Sequence, residues 1–228
     1  AIAGSKNLKA IVVKGNNVPD IADEKEFNVT VTHTKQLLDA NPVISKGLQV
    51  YGTSAFMALM NYMKILPAYN FRYTSFDGSD SLSAEYIKNN YNTEKLPGCS
   101  GCPVECRFRT KDDRVIPDYD TIWAFGPAVE NSDFDTIIRA SNLCNDYGID
   151  PVSCGSTIAS YLELTSNNID SVNLLQMIKD IGEGKSKLGN GSSSIMNAMG
   201  NNELSMTVKS LELPGYDPRG ILGQALGY

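Results

Sequence analysis

SDFDTIIRASNLCNDYGIDPVSCGSTIASYLEL, Ser132 to Leu164, is the stretch that decides the fold class. Ser132 with Asp135 makes a capping-box-like start for a helix that runs to Tyr147, where Gly148 supplies the residue best suited to a helix end. Two residues later Asp150-Pro151 sets an N-cap before a proline at the first helical position, which opens a second helix to Leu164. Two helices in succession, each with its own start signal, predict a mainly α chain.

Further toward the C-terminus, Asp170 opens another helix to about Gly182, and glycines at 182, 184, 189 and 191 interrupt the region after it. Ser192 to Met199 suits a short helix, and Asp217-Pro218 repeats the N-cap and proline signature near the end. Toward the N-terminus, Ser81 or Ser83 opens a helix to Tyr91, with Glu85 as an early acidic residue. A helix from Thr53 to about Lys64 carries Ala55, Phe56, Leu59, Met60 and Met63 at helical spacing, a core pattern, and Pro67 stops it. Asp23 caps a helix to about Ala40, ended by Asn41-Pro42, with Phe27, Val31, Thr34 and Leu38 near one face. The remaining signals are irregular or extended. Leu8 to Lys14 (LKAIVVK) is a β-branched run closed by Gly15-Asn16-Asn17, one strand whose partners must come from elsewhere. Pro67 to Ser81 is an irregular excursion in which Tyr69, Phe71, Tyr73 and Phe76 suit core packing or the wall of a substrate channel. Leu96 to Gly126 has little periodicity and is expected to be a loop built around ligands.

The 228 residues suit one large domain or two small ones. Acidic residues outnumber basic ones, 26 to 20, for a net charge of -6, so there is no cationic surplus for a nucleic-acid backbone. Apolar runs such as Ala10-Ile11-Val12-Val13 are far shorter than the ~20 residues that cross a bilayer. With no signal pattern at the start, the expectation is a soluble, cytoplasmic protein without nucleic-acid or membrane partners. One histidine, His33, excludes a two-histidine zinc site and leaves sulfur or carboxylate to carry the chemistry. A chain that starts at Ala1 and stops at Tyr228 inside an expected helix reads as a piece of something longer.

The densest chemical signal is GCSGCPVECR, Gly98 to Arg107, which holds Cys99, Cys102 and Cys106 in a C-x2-C-x3-C frame. The first spacing lets one tight turn aim two sulfurs at one ion, and Gly98 and Gly101 free the backbone to point N–H groups at sulfur. Thiolates suit iron or zinc. Five cysteines, three of them clustered, argue against a disulfide framework. The readings from spacing are an iron–sulfur cluster, a zinc knuckle completed by His33 or a further cysteine, and a metal-free thiol cluster. A fourth ligand would be Cys144, Cys154, a thiol outside the chain, or nothing protein-derived; Cys144 and Cys154 fall in or beside predicted helices, where buried, unreactive cysteine is common, so the outside ligand is preferred.

Together with GSKNLKAIVVKG (Gly4 to Gly15), PDYDTIWAFGP (Pro117 to Pro127), LCNDYGIDPVSCG (Leu143 to Gly155) and YDPRG (Tyr216 to Gly220), this loop resembles the tungsten-dependent aldehyde ferredoxin oxidoreductases over nearly the whole chain. The resemblance implies a middle helical domain over residues 18–228 that runs into the start of a C-terminal helical domain near 214–228, with residues 1–17 the last strand of a preceding cofactor-binding domain. It implies a 4Fe-4S cluster on Cys99, Cys102 and Cys106 with its fourth cysteine in the C-terminal domain, and a tungsten or molybdenum bis-pterin centre in the full-length protein. The family's D-x-x-G-L-D pterin motif aligns with Asn145 to Asp150, making Asn145, Ile149 and Asp150 candidate cofactor contacts. Asn145 replaces an aspartate and keeps hydrogen bonding without the charge. Asp120 falls where an E-Y-E-T block carries glutamate beside the metal and is the candidate catalytic, proton-transferring residue. A mononuclear iron between subunits of some dimeric members needs glutamate and histidine; Arg139 stands at the glutamate position and no histidine follows His33, so that iron is not expected, though a homodimer remains possible.

The expected function of the full-length protein is oxidation of small aldehydes to carboxylic acids with ferredoxin as electron acceptor, and the isolated piece is expected to be inactive. The alternatives are a non-catalytic helical scaffold whose cysteine loop holds zinc or a cluster, and an electron carrier, which three clustered cysteines alone support poorly.

Overall fold

In the computed structural model, which describes residues 2–228, the punctuation around Gly148 forms as the sequence predicts. Six helices of seven or more residues matter for the site and its support: α1 (Glu24–Ala40), α2 (Ala55–Tyr62), α3 (Ala84–Tyr91), then, beyond two short strands, α4 (Tyr119–Phe125), α5 (Phe134–Tyr147) and α6 (Pro151–Thr165). Three more follow: α7 (Ser171–Gly182), α8 (Ser192–Ala198) and α9 (Leu222–Gly227). Asp23, Ser83, Asp150 and Asp170 cap α1, α3, α6 and α7 through side-chain oxygens that accept first-turn backbone N–H groups. Asp133 rather than Ser132 caps α5, because its carboxylate can accept both the Asp135 N–H and the Thr136 hydroxyl. No described helix is long and apolar enough to cross a membrane.

The core forms around α6, which is buried over most of its length and packs against α4, α5 and α8. Contact with α4 is close because Gly155 has no side chain: a Cβ there would lie 2.4 Å from the Ala124 carbonyl oxygen. Ile137, Ile138, Ile158, Leu174 and Ile178 fill the space among α5, α6 and α7, each fully buried. Burying such a side chain contributes about 1.5–3 kcal/mol.

Helix α4 corrects the expectation of an unstructured Leu96 to Gly126. Six of its seven residues are buried, so it lacks the alternation of polar and apolar positions by which a surface helix is recognised. Two strands that carry no β-rich signal flank the cysteine loop, β1 (Thr93–Lys95) and β2 (Phe108–Thr110), antiparallel with Glu94 opposite Arg109. A second small pair, β3 (Thr207–Val208) and β4 (Leu211–Glu212), follows α8. Leu8 to Lys14, expected as a strand, joins no ladder: it runs exposed, with Val12 92% and Val13 87% accessible, because no described segment offers it an edge. Asp217-Pro218 is also corrected. Asp217 is buried and caps no helix; its carboxylate instead accepts from the Arg219 backbone and guanidinium, and helix resumes only at α9.

The excursion after Pro67 is built on backbone strain. Tyr69, Asn70 and Phe71 have φ of 45°, 49° and 66°, three successive left-handed residues without a glycine. Such conformations cost about 1–3 kcal/mol each and persist when surrounding contacts over-determine them. Here the Tyr69 and Asn70 N–H groups donate to the carbonyls of Pro127 and Ala128, and Asn70 Nδ2 donates to buried Glu163 at 2.6 Å. Phe71 meets Trp123 edge-on at 5.7 Å and Phe76 packs against the core, while Tyr73 stays exposed.

Candidate functional site: a cysteine loop and the cavity beside it

The ladder between β1 and β2 brings the two ends of residues 96–107 together, and Leu96 N–H donates to the Arg107 carbonyl at 2.9 Å. A cross-strand ion pair between Arg109 and Glu94 at 2.9 Å reinforces this base. Within the loop, Cys102 N–H donates to the Cys99 carbonyl at 3.0 Å, the tight turn the C-x2-C spacing calls for. Gly101 at φ 74° and Glu105 at φ 47° turn the backbone so that the N–H groups of Glu105 and Val104 face the Cys102 thiol and lower its pKa. Cys99 and Cys106 are exposed, and all three thiols are free. Their soft donor set suits a sulfur-ligated metal, yet no three His, Cys, Asp or Glu side chains stand together as a metal-binding group among the described residues.

Gly52 fixes the far end of the loop. Its φ of 71° suits glycine, and a Cβ would lie 2.6 Å from the Cys106 carbonyl oxygen. Between this contact and the starts of α4 and α6 is a cavity of about 410 Å³. Cys106 and Arg107 line one side, Thr53, Asp118 and Thr121 another, and Ser141, Asn145 and Pro151 a third. Asp118 accepts from Thr121 N–H at 2.9 Å and so caps α4 while facing the cavity. Nothing in the local sequence pattern singles Asp118 out; its cap role depends on a helix whose apolar pattern is continuous.

The candidate cofactor contacts divide. Asn145 reaches the cavity wall and its amide makes no hydrogen bond among the described residues. Ile149 packs against the core, and its N–H donates to the Cys144 carbonyl at 2.8 Å, closing the end of α5. Asp150 is engaged as a cap, accepting from Ser153 N–H at 2.7 Å. Cys144 and Cys154 are buried; the Cys154 thiol is pushed up by its hydrogen bond with Cys144 and by burial, which suits a protonated core thiol rather than a ligand.

Asp120 lies outside that cavity lining. Its Oδ1 is fully enclosed and has no hydrogen-bond partner of ordinary geometry. Burial raises its pKa, the charges of Asp118 and Asp150 add to the rise, and the Gly215 backbone N–H opposes it. A carboxyl group so placed holds a proton more readily than a solvated aspartate.

A family model described as aldehyde ferredoxin oxidoreductase, domains 2 and 3, matches residues 30–228. The chain belongs to the aldehyde ferredoxin oxidoreductase family. It is 34% identical to the tungsten-containing aldehyde ferredoxin oxidoreductase of Pyrococcus furiosus, and 33% identical to that of Thermococcus kodakarensis, with all of this chain covered in both. A more distant similarity, 22% over 74% of the chain, is to an aliphatic sulfonate oxidoreductase, WOR-like subunit, of Pyrococcus furiosus. The chain spans about 41% of the length of the first two relatives. Family membership gives the chain an oxidoreductase context, in which the cysteine loop and the end of α5 share one cavity.

Proposed function

We propose that the protein of which this chain forms part oxidises small aldehydes to carboxylic acids and delivers the electrons to ferredoxin. The observation that carries the reading is the cavity where Cys106, at the exit of the cysteine loop, meets Asn145, at the family's pterin-motif position. Cys99, Cys102 and Cys106, with a thiol from outside the chain, would hold a 4Fe-4S cluster, and a tungsten or molybdenum bis-pterin would lie toward Asn145. These groups, when bound, supply two-electron oxidation and one-electron transfer.

The work of this chain's own residues follows from their surroundings. The N–H groups of Glu105 and Val104 stabilise negative charge on the Cys102 sulfur and prepare it as a ligand. Asn145 offers a donor and an acceptor to a polar ring without adding charge. Asp120 accepts a proton as aldehyde hydrate becomes acid, a change that releases two electrons and two protons. Its raised pKa brings it closer to the working pH than an ordinary aspartate, and its enclosed Oδ1 leaves one acceptor without a competing partner.

Metal analysis and low-temperature EPR of the anaerobically prepared full-length protein test the reading. Iron with tungsten or molybdenum, and a reduced-cluster signal lost when Cys102 is replaced by serine, are expected. Zinc without iron, tungsten or molybdenum would leave a helical scaffold as the better account. For Asp120, the full-length Asp120→Asn variant should keep its metals and lose at least tenfold in turnover; near-normal turnover removes it from proton transfer.

A further inference from the structure

Residues 97–105, which carry Cys99 and Cys102, are tied to one another more than to the rest of the chain. Leu96 N–H closes the base on the Arg107 carbonyl, Cys102 N–H turns back to the Cys99 carbonyl, and Lys95 pairs with Glu105 at 3.4 Å. All of these lie within the loop and its two strands. Among the described residues, one hydrogen bond joins 97–105 to another element: Gln49 Nε2 donates to the Pro103 carbonyl at 3.2 Å.

Gln49 is itself held. Its Nε2 also donates to Asp39 Oδ1 at 3.3 Å, near the end of α1, so both neighbours are acceptors and the amide presents its NH2 end to them. The backbone arrives there through a π-helical stretch, Val43–Leu48, closed by the Gln49 N–H on the Ile44 carbonyl. Three residues on, Gly52 leaves no room for a Cβ against the Cys106 carbonyl, and Thr53 Oγ1 accepts the Tyr119 N–H at 3.0 Å. Residues 49–53 therefore touch the loop directly after Cys102 and again at Cys106, and they also hold the start of α4.

The contact at Pro103 reaches Cys102 by a short, stiff route. The Cys102–Pro103 peptide is trans, and the proline ring holds φ at about −65°, so that only the ψ torsions of these two residues are free. The plane that carries the Pro103 carbonyl carries the Val104 N–H on its opposite side, so the bond that holds one holds the other.

We propose that Gln49 is a positioning residue for the cysteine loop: by holding the Pro103 carbonyl on the segment against which Cys106 rests, it fixes where the Cys102 sulfur stands relative to that of Cys106. The inference rests on the reading of these thiols as metal ligands and adds the residue that keeps them in register. Without that bond, Cys102 sits on a limb free to swing from its base, and a metal held there is released more easily.

The test uses the full-length protein, purified without oxygen. Gln49→Met keeps the length of the side chain and removes the donor, whereas Gln49→Glu sets a carboxylate against the Pro103 carbonyl and Asp39. A neutral hydrogen bond of ordinary net strength is worth about fivefold in a rate. A chelator should therefore strip the loop metal about fivefold faster from Gln49→Met, and faster still from Gln49→Glu; the loop metal is the iron or zinc that Cys102→Ser loses. The low-temperature EPR spectrum of the reduced protein should shift its g-values at unchanged iron content. If Gln49→Glu does not fold, Gln49→Met carries the test alone. An unchanged stripping rate in folded Gln49→Met overturns the proposal. Faster stripping that only follows a lowered melting temperature, with the spectrum unaltered, is general loosening and overturns it too. A parent with no metal on these thiols overturns the ligand reading and this inference with it, whereas a loaded parent with unmoved variants overturns this inference alone.

Discussion

Asp120 shows what a single side chain gives up for a site. Its folded-state pKa is raised, chiefly by burial, so the folded chain binds the proton more tightly than the unfolded chain does. Stability from this group is therefore complete below the ordinary aspartate pKa of about 3.9 and is lost as pH rises through the folded value. Asparagine at the same position does not titrate. Asp120→Asn should thus melt at a higher temperature than the parent at neutral pH, and the gap should narrow toward pH 4. The substitution removes a charge that burial disfavours, and each 1 kcal/mol so gained corresponds to roughly 2–4 °C in a chain of this size. Paired calorimetric scans across pH check it, and a gap independent of pH would mean that folding leaves the Asp120 pKa unchanged. Cys102 behaves in the opposite sense, with the backbone of its turn favouring the thiolate. The Asp120 carboxyl and the Cys102 thiol are tuned in opposite directions by different means, enclosure for one and directed N–H groups for the other.

Among the elements, α4 and α6 carry the site because they cross closely. Gly155 permits the contact, and a methyl group there would press on the backbone of Ala124 rather than on a flexible side chain. Helix propensity alone would reward Gly155→Ala by about 1 kcal/mol. Overpacking costs about 1–3 kcal/mol and has no soft direction in which to relax, so the upper part of that range applies and net destabilisation of up to about 2 kcal/mol is expected. Urea denaturation followed by Trp123 fluorescence measures it, and a stabilised variant would show that the helices part without cost. The same pair of helices marks what could be read from the sequence. Helix α6 is legible in Asp150-Pro151, because caps and prolines act on the nearest turn and leave a local signature. Helix α4 is not, because burial on all sides removes the amphipathic period. Asp217-Pro218 has the right local signature and the wrong outcome: the carboxylate satisfies Arg219, and that contact outweighs the cap. Of the candidate site, the C-x2-C turn and the Asn145 position could be read from spacing and resemblance. The cavity that joins them, and the enclosure of Asp120, depend on contacts between residues far apart in the chain, which periodicity does not record.

At the scale of the whole molecule, burial is unevenly shared. Residues 2–22 are exposed throughout, and α1 has no buried residue, whereas α4 to α7 hold most of the core. Ile11, Val12 and Val13 are 76%, 92% and 87% accessible, a contiguous apolar run that contributes nothing to folding through burial. Stability should therefore be set without this segment. Removing residues 1–22 leaves Asp23 in place to cap α1 and takes away no described core contact. The shortened chain should melt within about 2 °C of the parent, since 1 kcal/mol corresponds to roughly 2–4 °C at this size. It should also be less prone to self-association, because an exposed β-branched run with unpaired backbone groups invites pairing with another copy. Calorimetry and light scattering on the two chains make the comparison. A fall of more than about 5 °C would show that the leading segment packs on the body, and unchanged association would move the adhesive surface to the exposed apolar residues of α1, Phe27, Val29 and Leu37.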